Sequence, residues 1–352
     1  SQLDAVPEAW LRALQKLCSA LGEHVNDRPG DTNAAVLAFY FRALAFAGLA
    51  DMFGTHSLCE FDRSEGADVP PSVGGADAAS QVRLGGGGFD FPLDAAGRLT
   101  LRNIVPGPFL APRIRGADAL VLFSATLNPQ DYYRALLGLP DDTAWLDVPS
   151  PFAASQLQVR IVPVSTRQGA RAASLDMLVA AMAEQFTRQP GNYLAYFSSF
   201  DYLEQACQRM GQIHGQIPVW AQARQMDEPA RRHFLRRFSA AGQGIGFAVL
   251  GGVFGEGVDL PGTRLIGAFI ATLGLPQFDA INEVIRARMD ALFGQGYDYT
   301  YVYPGLQKVV QAAGRVIRSE TDTGTVVLLD ARYREPRYQA LLPAWWSIPQ
   351  PG

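Results

Sequence analysis

Only two of the 352 residues are lysines, Lys16 and Lys308, and neither follows a glycine. A phosphate-binding loop of the Gly-Lys-Ser/Thr kind needs that lysine to reach the terminal phosphates of a nucleotide. Gln15 precedes Lys16 and Gln307 precedes Lys308, so the loop is absent from this sequence. No Asp-Glu pair closes an apolar strand either, because Asp227-Glu228 follows the polar Arg224-Gln225-Met226. Residues that would hold magnesium and activate a water are therefore missing. Gly85 to Gly88 do not supply a dinucleotide fingerprint, since Asp90 stands where a third glycine is required.

Cysteine is equally scarce. Cys18, Cys59 and Cys207 are widely separated and contain no C-x-x-C pair, so they read as reduced, packed thiols. Three cysteines cannot build a four-thiolate iron–sulfur cluster. His24, His56, His214 and His233 lack metal-ligand spacing, and no metal site is expected. No apolar run reads as long enough to span a bilayer, and Ser1-Gln2-Leu3-Asp4 lacks a basic n-region. The expectation is a cytoplasmic protein without a membrane partner. Hydrophobic residues at 48% and charged residues at 18% describe a globular chain long enough for two or three domains. The net charge of -4 argues against indiscriminate nucleic-acid binding while permitting a local basic groove. Arginine supplies nearly all the positive charge.

Trp10, Leu14, Leu17 and Leu21 recur at helical spacing, and a second helix is expected from Asn33 to Leu49 with Asp31 or Thr32 as its cap. Residues 63–98 are rich in Gly, Pro, Asp and Ala and read as an irregular connection or hairpin region. Beyond Leu99, short apolar runs alternate with helical patterns. The strands are expected at Ala119–Phe123, Val159–Val164, Tyr193–Phe197, Phe247–Leu250, Leu265–Ala271 and Thr325–Leu329. Helices are expected at Ala172–Phe186, Phe200–Met210, Glu228–Phe238, Ala280–Phe293 and Gln307–Ile317. That alternation predicts an α/β fold, a parallel sheet covered by helices on both faces. A boundary is expected near Pro149-Ser150-Pro151, and no repeat is visible.

Four segments carry candidate chemistry. Arg315 and Arg318, within Gln311-Ala-Ala-Gly-Arg-Val-Ile-Arg-Ser319, would share a face of a helix, so that both planar guanidiniums point at one anion. A solvated helix end is the bland reading of Arg-x-x-Arg alone. Phe247–Leu250 runs into Gly251-Gly-Val-Phe-Gly-Glu-Gly-Val-Asp-Leu260, where glycines let backbone approach a ligand and Glu256 and Asp259 offer acceptors to a ribose hydroxyl or an arginine. Ser124 and Thr126 follow one apolar run, and Ser198 and Ser199 follow another, where α/β folds place ligands. A helix start with two serines suits a phosphate, although a serine cap explains Ser198-Ser199 equally well. Trp345-Trp346 and Tyr297 to Tyr303 offer stacking surfaces for bases, with core packing the better reading for most of them.

In this order, Ser-Ala-Thr-Leu-Asn-Pro, Phe-Ser-Ser-Phe, Gly-Val-Phe-Gly-Glu-Gly-Val-Asp-Leu and Gln-Ala-Ala-Gly-Arg-Val-Ile-Arg-Ser resemble the later motifs of superfamily-two DNA helicases of the DinG/XPD branch, across roughly residues 100–345. The resemblance implies RecA-like motor domains that clamp ATP while single-stranded DNA crosses both and moves 5′ to 3′, in a bacterial protein of DNA repair. It implies arginine fingers at Arg315 and Arg318, with Gln311, Glu256, Gly257 and Asp259 on the nucleotide side. Ser124 and Thr126 match the motif coupling hydrolysis to DNA, and Ser198, with Ser199, matches a strand-contacting motif. Residues 1–98 would resemble a mainly helical arch insertion, 99–148 the last part of a first motor domain, and 151–352 the second motor domain. The family's phosphate loop and Asp-Glu-x-His box have no counterpart here. The chain thus reads as the C-terminal portion of such an enzyme, as a recombinant or proteolytic piece or a natural relic. ATP and Mg²⁺ would be bound mainly by an N-terminal motor domain of the same helicase, and an iron–sulfur cluster would belong to a longer parent, not to this chain. The competing readings are a non-catalytic nucleic-acid or protein interaction module, and a small-molecule transferase that would bind a mononucleotide unaided.

Overall fold

The computed structural model describes residues 2–27, 32–64, 96–255 and 258–348. By internal contacts the chain divides into Ser1–Asp118 with Leu136–Leu139, and Ala119–Ala135 with Pro140–Gly352.

In the first unit β1 (Gln2–Leu3) precedes two helices, α1 (Glu8–Asp27) and α2 (Ala34–Asp51). Trp10 packs edge-on against Phe46 across the pair, with ring centroids 5.1 Å apart. The cap of α2 is Asn33, whose side chain accepts from the Ala35 N–H at 2.8 Å. Thr32 does not fill that role, and Asp31 lies outside the described residues. Correcting the sequence-based expectation, α2 has the length and apolarity to cross a bilayer. It is apolar all round, burying Ala43, Ala47 and Ala50 while leaving Phe39, Phe41, Leu44 and Leu49 exposed. Two longer strands, β2 (Ser57–Ser64) and β3 (Ala96–Asn103), pair antiparallel with Cys59 opposite Leu101, and β1 adds to β2. The residues between β2 and β3 are the greater part of the expected hairpin region, and 65–95 lie outside the described residues. Helix α3 (Gly107–Arg115) follows.

The second unit begins with the largest correction. Ala119–Phe123 forms no strand, although its composition is that of one. A strand needs ladder partners on its edges, and among the described residues this run has none. After α4 (Gln130–Leu137) the chain enters β4 (Leu157–Val162), α5 (Arg171–Arg188), β5 (Asn192–Phe197), α6 (Phe200–Ile213), β6 (Val219–Ala221), α7 (Glu228–Arg236), β7 (Gly244–Val249), β8 (Gly267–Ala271), α8 (Ala280–Phe293), α9 (Tyr303–Ala313), β9 (Gly324–Leu329) and α10 (Pro336–Gln339). The six strands stand in the order β4-β9-β8-β5-β7-β6, every pair parallel.

Successive side chains of a strand point to opposite faces, and β5 shows the result. Leu194 and Tyr196 join α7 and α9 in one core, with Phe234, Leu306 and Val309. Tyr193, Ala195 and Phe197 join α5 and α6 in the other, with Leu178, Met182 and Leu203. The expected two-faced parallel sheet is therefore present. Five expected strands are found with ends shifted by up to three residues, while three-residue β6 escaped notice because it is too short for a periodic signal. Helix α9 starts earlier than expected, at Tyr303, and stops at Ala313 rather than Ile317. Of the tyrosines offered as stacking surfaces, Tyr299 and Tyr301 are buried and belong to the packing, as does Trp346.

Candidate functional site

The end of α9 places the arginines. Gly314 closes the helix, its N–H bonding to the Val310 carbonyl at 2.9 Å. The next residues turn away, so Arg315 and Arg318 lie beyond the helix, and the expectation that they share a helix face is corrected. Val316 and Ile317 between them are buried in the core. Burying the middle pair leaves the two arginines on either side of one short loop, and both turn to the segment after β7. Arg315 Nη1 donates to the Val258 carbonyl at 3.1 Å and Arg318 Nη2 to the same carbonyl at 3.2 Å. Arg315 Nη2 reaches the Gly255 carbonyl at 3.4 Å. The two guanidiniums thus meet at one backbone carbonyl, from a loop rather than from a shared helix face.

Asp259 lies 3.5 Å from Arg318 Nε, so of its two expected partners it meets the arginine. That carboxylate is mostly exposed and contributes little to stability. Gln311 sits half-buried on α9. Glu256 and Gly257 lie outside the described residues. Asp322 holds the loop from behind, accepting the backbone N–H groups of Arg318 and Ser319 at 2.8 Å each. Burial by itself would raise the Asp322 carboxyl, but these backbone donors and the Ser319 hydroxyl outweigh it and hold the carboxyl below its ordinary value.

An anion fits this place on one structural observation: Arg315 Nε is buried and has no hydrogen-bond partner among the described residues. A buried guanidinium N–H left unpaired costs free energy that a ligand oxygen would recover. Arg315 meets only backbone carbonyls among the described residues, and the one carboxylate beside Arg318, that of Asp259, is mostly exposed, so the pair can still offer charge to such a ligand.

Near the middle of α9, Gln307 Nε2 donates to Thr126 Oγ1 at 3.3 Å. Ser124 Oγ lies 3.3 Å from Thr126 Oγ1 and accepts the Thr126 N–H at 3.2 Å, closing a small turn. The expected hydroxyl pair is therefore tied to the helix whose far end leads to the arginines. Of the two roles expected for Ser198 and Ser199, the structure shows the cap. Ser199 is a helix cap, its Oγ accepting the Tyr202 N–H at 3.3 Å. Ser198 Oγ instead accepts from Arg171 Nη2 at 2.8 Å.

Arg171 was not anticipated. It also donates from Nε to the Thr166 carbonyl at 3.1 Å, and its guanidinium carbon lies 4.7 Å from the centre of the Tyr202 ring. Thr166, just past β4, was legible by the rule that singled out Ser124 and Ser198, a small hydroxyl residue following a strand. Its hydroxyl donates to Asp330, at the end of β9. Among the described residues no three His, Cys, Asp or Glu side chains gather in a way that would hold a metal ion.

The chain is similar to known proteins in sequence and in fold. The "Helicase C-terminal domain" family matches residues 182–348. The ATP-dependent helicase DinG of Mycobacterium tuberculosis is 29% identical over 254 residues, which cover 68% of this chain and 36% of that protein. The chain thus spans about a third of the length of that relative. A solved apo XPD structure superposes with a TM-score of 0.56 at 20% identity, over 69% of this chain and 50% of its own. The structure of S. tokodaii Xpd4 covers 99% of this chain and 61% of its own, with a TM-score of 0.55 at 12% identity. The fold is RecA-like α/β with a helical N-terminal segment, and the sequence is similar to the C-terminal region of DinG and XPD helicases.

Proposed function

We propose that this chain forms part of an ATP-dependent 5′ to 3′ DNA helicase, contributing arginine fingers to ATP and part of a track for single-stranded DNA. The observation that carries this reading is the convergence of Arg315 and Arg318 on the Val258 carbonyl, with Arg315 Nε buried and unpartnered among the described residues. Arg315 and Arg318 would leave that carbonyl for the terminal phosphate and stabilise charge that builds there in the transition state. Gln311, Glu256, Gly257 and Asp259 would line the nucleotide, Asp259 by orienting Arg318. Mg²⁺ and the phosphate loop belong to a first motor domain, to which residues 99–148 would add their last part, with Ala119–Phe123 as a strand. Residues 1–98 would be the arch-like segment and 151–352 the second motor domain. Ser124 and Thr126 would relay between strand and nucleotide through Gln307 and α9, and Ser198, backed by the Ser199 cap, would face the strand.

The test joins this chain to a motor domain that carries the lysine loop and measures DNA-stimulated hydrolysis. Arg315→Ala or Arg318→Ala should each lower the rate by about three orders of magnitude or more while single-strand affinity stays nearly unchanged. Parallel loss of affinity and rate would sink the finger assignment and leave a backbone-contact role. The chain by itself should turn over no ATP, because neither lysine follows a glycine. The same absence favours the second reading, a binding module without hydrolysis, which gains if the joined protein is also silent.

A further inference from the structure

The turn that follows Arg318 lies on the surface. The Asp322 N–H bonds the Ser319 carbonyl at 3.2 Å, the Ser319 and Thr321 hydroxyls lie 3.1 Å apart, and Ser319, Glu320 and Thr321 are all exposed. A surface turn with so few buried contacts has little of its own to hold it still. One side chain reaches it from a distant part of the sequence. Gln156 Nε2 donates to the Asp322 carbonyl at 2.8 Å, the Glu320 carbonyl at 3.0 Å and the Ser319 carbonyl at 3.3 Å. Among the described residues no other side chain from outside the turn bonds its backbone.

Gln156 is itself fixed. Its Oε1 accepts the Ala153 N–H at 2.9 Å, so the carboxamide cannot turn over without setting an oxygen against three carbonyl oxygens. On one side Phe152 packs against the core, its ring centroid 6.0 Å from that of Trp345, and on the other Leu157 is buried and opens β4. The parallel register sets Leu157 opposite Gly324, which brings the residue before β4 level with the turn before β9. Gln156 and Ser319, 163 positions apart, meet for that reason. The two arginines thus stand on different supports. Arg315 follows the end of α9 directly, with buried Val316 behind it. Arg318 donates its backbone N–H to the Asp322 carboxylate at 2.8 Å, and Gln156 holds Asp322 by its carbonyl.

We propose that Gln156 is a positioning residue for Arg318: its carboxamide fastens the turn from Ser319 to Asp322 to the entrance of β4, and so fixes the base from which the Arg318 guanidinium reaches a terminal phosphate. The inference rests on the arginine-finger reading given above. A guanidinium on a long stem returns to one place only if its base is still, and an error of about 1 Å at a reacting centre costs on the order of a hundredfold in rate. Glutamine suits the task because one group must accept from Ala153 and donate to three carbonyls. A lysine could not accept, and a glutamate would face the carbonyls with an acceptor.

The test has two parts. On the full chain, hydrogen exchange compares the Arg318 and Ser319 amides in the parent, in Gln156→Ala and in Gln156→Glu, which keeps the length of the side chain and its bond to Ala153. Both variants should lose protection at those two amides roughly tenfold, while the amides of β5, in the middle of the sheet, keep theirs and show the fold intact. In the joined protein of the hydrolysis test above, Gln156→Ala should lower kcat roughly tenfold to a hundredfold and leave KM for ATP within about twofold. It should lower kcat no further once Arg318→Ala is present, because the two act as one unit. Unchanged protection at Arg318 and Ser319, or an unchanged kcat in Gln156→Ala beside a slow Arg318→Ala, overturns the inference and leaves the fingers standing. Losses that multiply in the double variant overturn it as well, since Gln156 would then act elsewhere. If Arg318→Ala turns over at the parent rate, or the joined protein is silent, the finger reading falls and this inference falls with it.

Discussion

Tyr193–Phe197 and Ala119–Phe123 are both five-residue apolar runs that end in small hydroxyl residues, and they meet opposite fates. The first is β5, between β7 and β8, with all five side chains fully buried. In the second, Val121 is 80% exposed and Phe123 91%, and the backbone joins no sheet. Propensity is satisfied in both. The difference is the presence of neighbours, because a strand is stabilised by cross-strand and same-face packing rather than by backbone preference. An apolar run of this kind marks where a sheet can be completed.

Substitution breaks the comparison most sharply. Tyr196→Ala removes a ring packed on both sides and its hydroxyl bond to the Phe254 carbonyl at 3.0 Å. It should cost about 3–5 kcal/mol, read as a drop in the denaturant midpoint. Phe123→Ala, in the exposed run, should change stability by less than about 0.5 kcal/mol. A comparable loss at both positions would mean that Ala119–Phe123 is packed in solution, and the contrast would fail. The next effect in size concerns association. A run of high β-propensity with free edges is a template for pairing with another chain, so Val121→Asp should reduce light scattering of the concentrated protein on warming. No change would mean that the exposed side chains of α2, rather than this run, govern self-association.

The same contrast explains what could be read in advance. The strands of the parallel sheet were legible because burial on both faces leaves an uninterrupted apolar run, and α8 was found at Ala280–Phe293 because Asp279 caps its start and Gly294, in a left-handed conformation, ends it. The antiparallel pair β2 and β3 was less visible, since polar residues such as Glu60, Asp62 and Arg98 interrupt the pattern. At the candidate site, residue types were legible and geometry was not. Arg315 and Arg318 have helical spacing, but Gly314 ends the helix and burial of Val316 and Ile317 redirects the chain. Thr166 and Arg171 lie between β4 and the start of α5, whereas Asp330 follows β9, so no spacing in the sequence connects Asp330 to them. Only the parallel register of β4 and β9 does, with Val162 opposite Leu329.

The smallest effect is a pH dependence that separates a held loop from a free one. The Asp322 carboxylate accepts the amides of Arg318 and Ser319, and its pKa in the folded protein lies below the ordinary carboxylate value. A depressed carboxyl contributes stability that is fully present above the unfolded-state pKa, near 4 for an aspartate, and is lost as pH falls through the lower folded value. Hydrogen-exchange protection at Arg318 and Ser319 should therefore be constant at neutral pH and decline in acid. Asp322→Asn should flatten that decline and lower protection at every pH, at a cost of about 1–2 kcal/mol. The amides of Leu120 to Phe123, in a run without ladder partners, should be unprotected throughout. If Arg318 and Ser319 exchange as freely as that run at neutral pH, the loop that aims the two arginines is not preformed. The finger geometry would then have to be assembled by the nucleotide itself.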